Sequence, residues 1–206
     1  MKRVTQITFA MICISMMMGL SCSRRPSRIS GPSFPGNAGS QAMAQYDTNK
    51  DGKVAEDELE NAPSLRAAIK NLDTNGDGGV DAKEVDGLID RWIASKLGRT
   101  DCIVTVTRNG DPLDGATVKL VPEKFLGGAI QGGEGTTNEF GQAAITGPMP
   151  DGSSSPMSGV SPGLYIIQVT KDGESIPAEY NSSSKYGVEV SMNSAAVLEG
   201  CVVDIE

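Results

Sequence analysis

DTNGDGGVDAKE, residues 73–84, carries oxygen-bearing side chains at its first, third, fifth, ninth and twelfth positions and glycine at its sixth. That spacing suits a metal ion. A hard divalent cation takes about six to eight oxygens at about 2.3–2.6 Å, and side chains two apart in a tight coil converge on one point. Glycine at the sixth position adopts a backbone conformation that a Cβ would penalise. A glutamate at the twelfth, already on the following helix, closes the site with two oxygens. The expected ligands are Asp73, Asn75, Asp77, the Gly79 carbonyl, Asp81 and Glu84.

Upstream, DTNKDGKVAEDE at residues 47–58 repeats the pattern with Asp47, Asn49, Asp51, the Lys53 carbonyl and Glu58. Its ninth position is Ala55, so a water serves there. The eighth positions, Val54 and Val80, suit a short strand pair joining the two loops. Flanking residues Leu65, Ala68, Ile69 and Leu72 before the second loop, and Val85, Leu88, Ile89, Trp92, Ile93 and Leu97 after it, fall at helical spacing. Pro63 suits a helix start. Across residues 41–97 the loops and flanks resemble the EF-hand family, which implies Ca2+ at two sites. The loops start only 26 residues apart, a compression similar to that of exported bacterial EF-hand proteins. Four ionised ligands against three predict tighter binding at the second loop.

From Cys102 the texture changes to β-branched alternation punctuated by Gly and Pro. Strands are expected near 116–121, 142–146, 164–170 and 186–191, with further strands at CIVTVTR and GCVVDIE. Alternation turns Cys102 and Cys201 toward the apolar face. They form a candidate disulfide if the first and last strands are neighbours, and otherwise two buried free thiols. GGAIQGGEG (127–135) and DGSSSPMSGVSPG (151–163) read as loops. VTVTRNGDPLDGATVKLVPE, GTTNEFGQAAI, SPGLYIIQVT and IPAEYNSSSKYGVEV, in that order, resemble carboxypeptidase regulatory-like, transthyretin-like domains. The resemblance implies a non-catalytic β-sandwich over 102–206. Ala143 departs from it, standing where that family has a large aromatic residue.

The expected fold class is thus α + β in separate modules: a helical EF-hand pair (41–97), a linker (98–101) and an all-β sandwich. Ahead of them, residues 1–21 read as a signal peptide. Lys2 and Arg3 precede an apolar run too short to span a bilayer as a helix. Cys22 resembles the acylated cysteine of bacterial lipoproteins, although Gly19 and Leu20 reverse the usual order of large and small residues. Plain secretion and an uncleaved anchor are the alternatives. Residues 22–40, rich in Ser, Pro, Gly and Arg, read as a flexible tether. The expectation is an exported, lipid-anchored bacterial cell-envelope protein, on the periplasmic or outer-membrane face, touching the bilayer through Cys22.

Composition narrows the functions. With a net charge of −8 over 206 residues, nucleic acid is a poor partner. Five Lys/Arg and no acid lie in 1–39, whereas 101–206 hold 14 acids and five bases. Without His, a Ser or Cys nucleophile lacks its usual base, and the reading is non-enzymatic. The alternative role is an adhesion or scaffold protein whose sandwich binds a protein or glycan.

Overall fold

The computed structural model describes residues 31–148 and 155–206. The signal-peptide and Cys22 readings, and part of the tether, lie outside the described residues. Helix α1 (Ala38–Tyr46) enters the first loop, and β1 (Lys53–Ala55) leaves it into α2 (Glu56–Glu60). Then come α3 (Pro63–Ala67) and α4 (Ile69–Leu72), the second loop, β2 (Gly79–Asp81) and α5 (Ala82–Ser95). Ala38, Ala42 and Tyr46 recur every fourth residue and are the buried side of α1. The stripe before the second loop is helical, but it breaks at Ala68 (φ −95°, ψ 3°) into two short pieces. On α5, Val85, Leu88, Ile89 and Trp92 are buried. The predicted stripe overshoots there: Ile93 is 52% exposed and Leu97 lies beyond the helix end.

The strands of the β-rich region are β3 (Ile103–Arg108), β4 (Asp111–Pro112), β5 (Ala116–Pro122), β6 (Gly133–Thr136), β7 (Gln142–Ala144), β8 (Thr146–Gly147), β9 (Met157–Ser158), β10 (Gly163–Lys171), β11 (Gly187–Val190) and β12 (Cys201–Ile205). Among the described residues they form two sheets, one running β11-β10-β5-β6-β8-β9 and the other β12-β3-β4, with β7 also paired to β3. A short helix, α6 (Ala195–Leu198), precedes β12. At the centre of the larger sheet Val118 faces Val169 and Leu120 faces Ile167. All four are essentially buried, each contributing on the order of 1.5–3 kcal/mol relative to exposure.

Three expectations need correction. GGAIQGGEG is not simply a loop, because its C-terminal end is β6, paired with β5 and β8. A Cβ on Gly135 would lie 2.5 Å from the Ala144 carbonyl oxygen. The glycines therefore permit close backbone packing. Ala143, on the neighbouring β7, is fully buried. Met157–Ser158, within the second expected loop, likewise forms β9.

Second, the cysteines are not bridged. The first and last strands are neighbours, but they run parallel, with Cys201 opposite Val104 and two residues along from Cys102. That offset separates the Cα atoms by about 8 Å, beyond the roughly 4.4–6.8 Å of a disulfide. Both are free thiols, and burial pushes Cys102 up to about 12 and Cys201 up to about 11.

Third, the helical part is not a separate module, and 98–101 is not a free linker. Arg99 donates through Nε to the Ser158 carbonyl (3.1 Å) and through Nη1 to that of Pro148 (2.9 Å). Its Nη2 donates to the carbonyls of Met157 (2.9 Å) and Gly159. Thr100 exchanges two backbone hydrogen bonds with Val160. One continuous core runs from Ala38 to Ile205, and α3 lies against β11 and β10. Gly187 allows that contact, since a Cβ there would sit 2.3 Å from the Pro63 carbonyl carbon.

Candidate metal centre

The two loops are joined by the expected strand pair. Val54 lies opposite Val80, flanked by Lys53–Asp81 and Ala55–Gly79, and both valines are fully buried. The backbone folds as the sequence spacing requires: Gly52 (φ 96°) and Gly78 (φ 81°) are left-handed. Position four is left-handed too, occupied by Gly76 (φ 76°) in the second loop and by Lys50 (φ 62°) in the first.

Each side chain expected to hold an ion is drawn into its loop by amide donors. Asp73 Oδ1 accepts from the N–H of Gly76 (2.7 Å) and Asp77 (3.1 Å), and its Oδ2 from that of Gly78 (3.0 Å). Asn75 Oδ1 accepts from the Asp77 N–H, and Asp77 Oδ1 from that of Gly79. In the first loop, Asn49 Oδ1 accepts from the Asp51 N–H, Asp51 Oδ1 from that of Lys53, and Asp47 Oδ2 from that of Gly52.

The twelfth-position glutamates tie the loop ends together. Glu58 Oε1 accepts from the N–H groups of Thr48 (2.7 Å) and Asn49 (3.0 Å), and Glu84 Oε1 from that of Thr74 (2.9 Å). Their Oε2 atoms accept from Ala55 and Asp81 respectively. The Asn49 amide and then the Thr48 and Ala55 donors hold the Glu58 carboxyl below its usual value. Asp81 and Glu84 form a reciprocal cap on α5, with the Glu84 N–H donating to Asp81 Oδ1 at 2.8 Å. Ala55 has no side chain with which to do the same for α2.

Among the described residues no three carboxylates are gathered at ligating distance. Each carboxylate nevertheless has about four lone-pair sites, so an amide partner leaves capacity for an ion. One atom does more than permit it. Asp47 Oδ1 is buried and has no hydrogen-bond partner. A buried oxygen left so costs about 1–3 kcal/mol, and a cation at the first loop would satisfy it. The donor set, all hard oxygen, fits calcium.

A family model for the EF hand matches residues 41–61 and 65–89. Over those residues the chain is similar to the EF-hand family. That similarity supports calcium binding. Comparison with curated proteins and with solved structures finds no match.

Two buried acids outside the loop pattern, Glu123 and Glu189, tie the helical part to the β-rich part. Glu123, 2% exposed, accepts from the hydroxyls of Tyr46 (2.8 Å to Oε2) and Ser64 and from the Gln45 amide. Burial raises its carboxyl above the ordinary range despite these donors, and it also raises Tyr46. Glu189, 3% exposed, accepts from Asn71 Nδ2 (2.8 Å), Trp92 Nε1 (3.3 Å) and Ser191 Oγ (2.7 Å). Sequence reasoning placed Trp92 in the core but missed Tyr46, Glu123 and Glu189. The available signal was the acid between two valines in VEV at 188–190.

Proposed function

We propose that this is an exported, lipid-anchored, non-catalytic calcium-binding protein of a bacterial cell envelope. Calcium is held at Asp47, Asn49, Asp51, the Lys53 carbonyl and Glu58, and at Asp73, Asn75, Asp77, the Gly79 carbonyl, Asp81 and Glu84. Export and acylation at Cys22 rest on the N-terminal sequence, and the transthyretin-like sandwich rests on the order of motifs over 102–206. The observation that carries the calcium reading is the buried, unpartnered Asp47 Oδ1 inside a loop matched by the EF-hand family. Bound only by the folded form, the ion stabilises the helical region. Extracellular modules of this kind bind at about 10⁻⁴–10⁻³ M.

Calcium titration by calorimetry tests this reading. Asp73→Ala and Asp47→Ala should each abolish one site, with the larger loss of affinity from Asp73→Ala. No heat and no rise in melting temperature at millimolar calcium in the parent chain would sink it. The adhesion or scaffold alternative draws on Ile103 and Val202, 51% and 62% exposed on neighbouring strands. A glycan array read with the parent and with Ile103→Ser checks that alternative.

A further inference from the structure

Both calcium loops begin where a helix ends, and both helix ends are held by the sheet. The Asp47 N–H makes the final turn of α1, donating to Met43 O (2.9 Å), and the Asp73 N–H does the same for α4, donating to Ile69 O (2.8 Å). The first ligand of each loop is therefore placed by the end of its entering helix. Immediately before Asp47, Tyr46 donates to Glu123. Two residues before Asp73, Asn71 donates to Glu189, and Leu72 between them is fully buried. Trp92 of the exit helix α5 converges on the same Glu189 carboxylate, while Glu84, the closing ligand, lies on the first turn of α5. Two buried acids of the β-rich region thus grip the entering helices of both hands and the exit helix of the second. Between the two grips, α3 is seated on β11 over Gly187.

We infer that the β-rich region of this chain is the EF-hand pair's own docking partner, and that docking and calcium binding are coupled through Glu123 and Glu189. The sign follows from the geometry. Docking fixes the first ligand of each loop, and in the second hand it also fixes the helix carrying the twelfth, so the loop is ordered before the ion arrives. An ordered loop loses less freedom on binding. Docking therefore raises calcium affinity, and by reciprocity calcium tightens docking.

This inference rests on the calcium reading above, and one experiment separates the two. Calcium is titrated calorimetrically into the intact parent chain, Gly187→Ala and Glu189→Gln. Gly187→Ala drives a methyl into the Pro63–Ser64 backbone, and Glu189→Gln weakens the second grip, yet neither touches a loop. Hydrogen exchange of β5 and β10 amides reports whether the larger sheet persists. The expected result is retained protection there with calcium dissociation constants at least about fivefold higher in both variants. In the parent, calcium should also slow exchange at β11. Parent-like affinity, within twofold, in variants that keep the sheet would overturn the coupling while leaving calcium binding intact. Absence of binding in the parent would overturn the calcium reading itself. If Gly187→Ala does not fold, Ser64→Ala, which removes one donor to Glu123, takes its place under the same criteria.

Discussion

Lys50 shows how one residue can distinguish two otherwise similar loops. It occupies a left-handed position that the second loop fills with Gly76, and the companion Asp47 Oδ1 has no amide partner where Asp73 Oδ1 has two. The loop turns and the short strand pair between them were legible in the sequence, because the placement of glycines and valines in a tight coil depends on neighbours alone. The thiols were legible only in part. Alternation revealed their face, but the pairing offset that keeps them apart depends on a strand 100 residues away, which no local pattern encodes. Their raised pKa values, with Cys102 at about 12 and Cys201 at about 11, predict slow reaction. Iodoacetamide at pH about 8 should leave both peptides unlabelled in the folded chain and label both after unfolding without reductant. Mass spectrometry checks this, and a disulfide-linked peptide would contradict it.

At the level of elements, the strongly alternating strands β3, β5, β10 and β12 could be read from the sequence, because alternation is the signature of a half-buried pleat. β6 could not. Its composition signals a turn, while its position between β5 and β8 requires backbones to approach closely. Gly135→Ala should therefore be costly beyond its size. A methyl directed at the Ala144 carbonyl oxygen forces overpacking worth about 1–3 kcal/mol, and the melting temperature should fall in proportion. A variant as stable as the parent would show that β6 has room to move. The break at Ala68 was equally hidden, since the apolar spacing runs through it.

For the whole molecule, the change of texture near residue 100 suggested two separate modules, whereas the described residues share one core. The residues responsible are polar and scattered: Tyr46, Ser64, Asn71, Glu123 and Glu189. Glu123 also gives the junction a pH dependence. Its folded carboxyl lies above the ordinary value of 4.5 because burial disfavours the charge. Its contribution is complete below that value and is lost as pH rises through the raised one. Thermal melts of the parent and of Glu123→Gln between about pH 4 and 8 should show the parent losing ground to the variant as pH increases. Parallel profiles would argue against a perturbed carboxyl.

Arg99 carries a practical corollary. Its guanidinium sits just where a builder of truncated fragments would place the scissors, yet it satisfies four carbonyls on the far side of the cut. Dividing the chain there would leave those oxygens to water and bare the apolar underside of α3 and β11 together. The visible seam in the amino-acid alphabet is not a seam in the fold, and halves made along it should prove sticky and short-lived when purified alone.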